Sequence, residues 1–172
     1  MSPLTPVIGP EAIEARVRGL AREIDAHYRG EPLVCVCVLK GAFMFFADLV
    51  RHLQCGPELD FIRLASYGGG TSSTGKVRFM HDVETSLEGK HVLVVDDIVD
   101  SGRSMEYLLN ILSRRGTLSV KLCALLDKFE RREVELKVDF PGFPLKEGFV
   151  VGYGMDYGEH YRELPGVFEV KP

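Results

Sequence analysis

Two apolar runs without polar alternation constrain this chain more than any other feature, "PLVCVCVLK" (32–40) and "HVLVVDDIVD" (91–100), and "SVKLCALLDK" (119–128) reads as a further strand. A strand with one wet face alternates apolar and polar residues. An unbroken run belongs to a strand covered on both faces, as in parallel sheets. Between and around the runs lie helical patterns. Pro10 to Tyr28 places Ile13, Val17, Leu20 and Ile24 on one face, and "AFMFFADLVRHL" (42–53) and "RSMEYLLNILSRR" (103–115) follow the first two runs. "LDFIRLAS" (59–66) reads as a further strand. Strand and helix in alternation predict an α/β fold of the Rossmann-like kind, with a mostly parallel sheet flanked by helices. At 172 residues one domain is expected, with its core over about 30–140. The Pro- and Gly-rich stretch 140–148 reads as a surface connection. The first helix and the C-terminal tail fall outside the alternating pattern, predicting a small lobe from about 1–12 and 141–172.

Composition excludes several classes. A net charge of −4 argues against general nucleic-acid binding, which needs a basic face. No apolar run approaches the ~18 to 20 residues of a membrane span. The N-terminal Met1-Ser2-Pro3-Leu4-Thr5-Pro6 lacks the features of a secretory signal, so a cytoplasmic location is expected. Cys35, Cys37, Cys55 and Cys123 show no zinc spacing and are expected to be reduced, buried thiols. His27, His52, His81, His91 and His160 show no mutual spacing suited to a metal or triad.

Two stretches compete as a phosphate site. "YGGGTSSTGKV" (67–77) contains Gly70-x4-Gly75-Lys76, but Val77 stands where a P-loop needs a metal-ligating hydroxyl. The segment after it alternates, at Val77, Phe79 and Val83, as a strand does. The glycine run therefore reads as a loop between two strands. The second stretch is "VLVVDDIVDSGRSM" (92–105). An apolar strand delivers Asp96 and Asp97; then Asp100, Ser101, Gly102, Arg103 and Ser104 open a helix. Backbone N–H groups and small hydroxyls at a helix start form a cradle for a phosphate. Acids just ahead of such a cradle make sense if they hold vicinal hydroxyls and Mg²⁺, and a sugar phosphate supplies the hydroxyls.

This second stretch resembles the phosphoribosyl pyrophosphate signature of the type I phosphoribosyltransferases. "VLKGAFMFFADL" (38–49), "LLDKFERR" (125–132) and "FVVGYGMDYGEHYRELP" (149–165) resemble, in that order, the hypoxanthine-guanine branch of that family. The resemblance implies purine salvage. The 5-phosphoribosyl group passes from phosphoribosyl pyrophosphate to N9 of hypoxanthine or guanine, giving IMP or GMP and pyrophosphate, with Mg²⁺ as cofactor.

Carried over by motif, Asp96 and Asp97 meet the ribose hydroxyls near the metal, with Asp96 standing where many relatives have Glu. Asp100 faces the purine N7, and Asp100 to Ser104 take the 5′-phosphate. Lys40 and Gly41 resemble the pyrophosphate loop, where a cis peptide often precedes the lysine, and Arg162 reaches the pyrophosphate. Lys128 meets the purine O6, Phe149 stacks on the base, and the Val150 backbone reads its Watson–Crick edge. Asp156 binds a second Mg²⁺ through water. Ser66, Tyr67 and the glycine run match a flexible loop, about 66–76, that closes over the reacting centre. Without the resemblance Lys128 reads as an exposed strand-end lysine, and Arg131 and Arg132 as a solvated face. A homodimer or homotetramer is expected, with no nucleic-acid or membrane partner. The competing readings are a xanthine- or pyrimidine-preferring relative, an RNA-binding regulator on the same fold, and a P-loop nucleotide kinase.

Overall fold

A computed structural model describes residues 3–66 and 77–171. The expected glycine-rich loop and Tyr67 lie outside the described residues. In chain order the elements are β1 (Leu4–Ile8), α1 (Pro10–His27), β2 (Leu33–Leu39), α2 (Phe43–His52), β3 (Glu58–Ser66), β4 (Val77–His81), β5 (His91–Val99), α3 (Arg103–Ser113) and β6 (Ser119–Asp127). A 3-10 turn (Phe129–Arg131), β7 (Phe140–Pro144), β8 (Phe149–Val151) and β9 (Val167–Val170) complete the chain. No described helix is long and apolar enough to cross a membrane.

Six strands form one sheet in the order β4-β3-β2-β5-β6-β7, parallel throughout except for β4 against β3. The unbroken apolar runs are its central strands, and both of their faces are covered. Cys35, Cys37, Leu93, Val95, Cys123 and Leu125 face α1 and α2, while Val34, Val36, Val92, Val94, Leu122 and Ala124 face α3. All twelve are 0% exposed. Cys35, Cys37 and Cys123 are buried and Cys55 half-buried, all four as free thiols. Burial pushes the Cys37 thiol up to about 12, so it stays protonated and behaves as a small apolar side chain.

The strand order fixes where a ligand can sit. β2 and β5 are parallel neighbours, yet the chain leaves β2 toward β3 on one side and β5 toward β6 on the other. The crossovers diverge there, opening a crevice beyond the strands' carboxyl ends, the usual binding place of such sheets. Lys40 follows β2, and Asp96 and Asp97 lie near the end of β5.

Two expectations need correction. Residues 140–148 are not only a connection: Phe140–Pro144 is the edge strand β7, parallel to β6. Prolines misled because a central strand cannot hold them, whereas an edge strand tolerates missing donors. Gly142 is needed there, since a Cβ would lie 2.3 Å from the Leu125 carbonyl oxygen. The first helix is also no outlier, for Ile13, Val17, Leu20 and Ile24 belong to the main core. The terminal segments supply a separate three-stranded sheet, β1-β9-β8, antiparallel throughout.

Asp60, 6% exposed on β3, fastens the chain that returns from β4. Its carboxylate accepts from the backbone N–H of Phe61 (2.7 Å), Glu84 (2.9 Å) and Thr85 (2.7 Å). Burial pushes its pKa up, but these donors and the Thr85 hydroxyl outweigh it and hold the carboxyl below its ordinary value. A depressed pKa adds stability above the unfolded value, near 4, that is lost as pH falls through the folded value. Asp60→Asn is therefore expected to cost about 1–3 kcal/mol at neutral pH. Urea denaturation at pH 7 and pH 3 should show the mutant's deficit shrinking at the lower pH.

Candidate active site

The crevice begins with the two acids near the end of β5. Asp96 and Asp97 are adjacent, and the Asp97 N–H donates to Asp96 Oδ1 at 3.0 Å. The Asp97 carboxylate lies directly on the backbone of Gly41, where a Cβ would come within 2.0 Å of Oδ2. Only glycine leaves room there. Burial, then repulsion from Asp97, raises the Asp96 carboxyl well above the usual range. Burial also raises Asp97, although hydrogen bonds from Asp96 and the backbone, and the charge of Arg162, pull the other way. Two carboxylates held together in a poorly hydrated place fit a divalent cation, whose charge would offset their desolvation. Among the described residues no third acid, histidine or cysteine completes a metal cluster. A cation here takes its remaining donors from a bound ligand or water.

Downstream, Asp100 and Ser101 lead into Gly102 (φ +84) and the start of α3. Glycine at 102 leaves the backbone open to an approaching anion. The structure gives a second reason: a Cβ would lie 2.8 Å from Arg132 Cδ and 3.0 Å from Val134 Cγ2. The first helical hydrogen bond runs from Glu106 N to Gly102 O at 2.8 Å. The amides of the opening turn lack helical acceptors, the condition for anion binding. Ser101 Oγ stands 3.5 Å from the Arg103 N–H, at the limit of a hydrogen bond. Asp96, Asp100, Ser101, Gly102 and Ser104 line a cleft of about 340 Å³. The Arg103 side chain turns away from it and pairs with Glu133 at 2.5 Å.

A second cleft, about 670 Å³, shares Ile98 and Asp100 with the first. Lys128, Phe149, Val150, Met155 and Asp156 line it. Lys128 is 6% exposed, contrary to the expectation of a solvated strand end, and its Nζ stands 4.0 Å from Asp100 Oδ2. Its backbone N–H is fixed to Val99 O at 2.9 Å, which ties the end of β6 to that of β5. Phe149 stays 43% exposed, with Tyr157 edge-on at 5.5 Å between ring centroids. The open ring is an unused stacking surface. Asp100 Oδ1 is buried without a hydrogen-bond partner among the described residues, with Arg131 Nε 3.6 Å away.

The third side joins the turn after β2 to the segment after β8. The Leu39-Lys40 peptide is cis, as the resemblance implied. Gly154 presses on this turn, for a Cβ there would meet the Gly41 carbonyl oxygen at 2.3 Å. Arg162 donates to Gly154 O at 2.7 Å and pairs with Asp156 at 3.0 Å, while its Nε is buried without a partner among the described residues. Tyr153 donates its hydroxyl to Asp48 on α2. Tyr153, Glu159 and Tyr161 all have positive φ, a backbone state uncommon for non-glycine residues and one that clusters at functional sites.

The described site residues therefore converge on one crevice. Ser66 ends β3 opposite Val77, and Tyr67 lies outside the described residues. The sequence reading missed three residues. Arg132, read as solvated, is half-buried and clamps the site from behind, donating to Asp100 O (3.2 Å), Leu136 O (2.9 Å) and the Asp127 carboxylate. Arg131 reaches the second cleft beside Asp100. Glu159 bridges Lys40 and Arg162. Only its position three residues before Arg162 hinted at a pairing.

A family model described as a phosphoribosyl transferase domain matches residues 9–158. The chain is 46% identical over 167 residues to hypoxanthine phosphoribosyltransferase of Escherichia coli (strain K12), covering 95% of this chain and 94% of that protein. It is 43% identical over 166 residues to the bifunctional protein TilS/HprT of Listeria monocytogenes, covering 96% of this chain. It spans only 26% of that relative's length. Among solved structures, a hypoxanthine-guanine phosphoribosyltransferase from Bacillus anthracis superposes with a TM-score of 0.93 at 41% identity. That match covers 96% of this chain and 98% of the other.

Arg132→Met keeps the side-chain bulk but leaves the Asp127 carboxylate and the Asp100 carbonyl without their donor. A loss of about 2–4 kcal/mol in unfolding free energy, read by urea titration, is expected.

Proposed function

The chain belongs to the phosphoribosyltransferase family, and from that premise we propose that it makes IMP or GMP by joining a 5-phosphoribosyl group to N9 of hypoxanthine or guanine, releasing pyrophosphate. The observation that carries this reading is the pair of adjoining clefts with Asp100 in their common wall. An anion cradle at the start of α3 lies on one side of it. On the other is a flat-ligand cleft with an open phenyl ring and a buried lysine.

The transfer develops positive charge on the sugar and negative charge on the leaving diphosphate, so fixed charges on the two sides do most of the work. Asp96 and Asp97 bind the ribose hydroxyls. Asp96 and Asp97 would hold one Mg²⁺ and Asp156 a second, and the ions would supply positive charge against the leaving diphosphate. Lys40 and Arg162 lie on the leaving-group side. The backbone of Asp100 to Ser104 and the hydroxyls of Ser101 and Ser104 take the 5′-phosphate. Asp100 holds the proton of the purine N7, and its unpartnered buried oxygen supports that role. Phe149 stacks on the base, and the Val150 backbone meets its edge.

Lys128 governs the choice of base. An ammonium has donors and no acceptor, so it pairs with the O6 of hypoxanthine or guanine and faces another donor in adenine. A buried polar group left unpaired costs about 1–3 kcal/mol, which makes adenine poorer by roughly tenfold to a hundredfold. The test is spectrophotometric nucleotide formation from phosphoribosyl pyrophosphate and each of hypoxanthine, guanine, xanthine and adenine. Comparable kcat/KM for adenine, or no loss with hypoxanthine in Lys128→Met, would refute the assignment. Separately, Asp100→Asn is expected to lower kcat by about 10²- to 10⁴-fold, with substrate affinity changed far less. Near-normal turnover would remove Asp100 from proton transfer.

A further inference from the structure

Glu159 stands between two cations. One carboxylate oxygen, Oε2, accepts from Lys40 Nζ at 2.9 Å; the other, Oε1, accepts from Arg162 Nη2 at 3.1 Å. Each cation meets its own oxygen, as it would on a bridging oxyanion ligand. The carboxylate is presented by its backbone and has not merely drifted there. Glu159 has φ +69, its N–H is tied to Asp156 Oδ2 at 2.8 Å, and Tyr157 and His160 close the turn around it. The side chain is 65% exposed, so solvent weakens its hold on both partners.

We propose that Glu159 is an internal stand-in for the diphosphate: its carboxylate holds Lys40 and Arg162 in the free protein, and the incoming polyanion must displace it. This rests on the proposed function, which puts the diphosphate between those two cations. A bridge of this kind preserves the spacing of the two cations. It also lowers the apparent affinity for pyrophosphate, because only the fraction of molecules with the bridge open can bind. The carboxyl is held below its ordinary value by its bonds to Lys40 and Arg162, in keeping with an ionised bridge at neutral pH. Arg162 Nε, buried and without a partner among the described residues, is a donor that the bridge does not use.

The experiment is calorimetric titration of inorganic pyrophosphate, with Mg²⁺ in excess, into wild type, Glu159→Gln and Glu159→Ala, with circular dichroism confirming that each is folded. Glu159→Gln keeps the shape and backbone of the turn and removes the charge. Both variants are expected to bind pyrophosphate about three- to tenfold more tightly, the range for losing two solvent-weakened contacts. KM for phosphoribosyl pyrophosphate should fall in parallel, and KM for hypoxanthine should stay within about twofold, a split that a purely structural turn would not produce. Equal or weaker pyrophosphate binding by both variants, with wild-type binding intact, overturns the role of Glu159 and leaves the proposed function standing. A wild type that neither binds pyrophosphate nor forms nucleotide overturns that function and this inference together.

Discussion

The lateral pairing of β2 with β5 is the constraint on which the rest of the molecule depends. Parallel register sets Val36 beside Val94 and Cys37 beside Val95, so the segments that follow this last pair run side by side. The turn of Lys40 and Gly41 and the carboxylates of Asp96 and Asp97 are thereby brought to the same level of one crevice. The contact of Asp97 with the Gly41 backbone follows from that register. A one-residue slip would send every side chain of a strand to the opposite face. Cys35 and Cys37 would then meet α3, and the acids would leave the crevice.

Around this pairing the charges are arranged in opposite ways on the two sides. Burial raises the carboxyls of both Asp96 and Asp97, against which the charge of Arg162 lowers only Asp97. On the other side Lys40 and Arg162 are already balanced by Glu159 and Asp156. In the proposed reaction the acids would take up a cation, whereas the bases would exchange one anionic partner for another. Arg132 serves neither side directly; by gripping the Asp100 carbonyl and Asp127 it fixes the wall between the two clefts.

What the sequence revealed and what it hid have physical causes. Unbroken apolar runs show burial on both faces, so the parallel sheet and most element bounds could be read directly. The acids and the Ser-Gly turn were legible because few other structures need that combination at a strand-helix junction. Lys128 and Arg132 were harder. Whether a charged residue is solvated depends on what folds over it, and Lys128 is covered by segments distant in sequence. β7 was hidden because its prolines and glycine mimic a loop, and the pairing of Glu159 with Lys40 spans 119 positions. No local pattern carries such a contact.

The edge strand has a consequence for how the molecule behaves in a crowded solution. An uncovered strand edge is a template on which another chain can add, the usual start of aggregation. At β7 that template is blunted twice. Pro141 and Pro144 have no N–H to offer. From α1, the Arg16 guanidinium donates to the carbonyls of Pro141 (2.6 Å) and Gly142 (3.0 Å), so both acceptors are already taken. A strand that looked like a loop in the sequence thus protects the sheet it borders, and the features that disguised it are the ones that keep other chains from extending it.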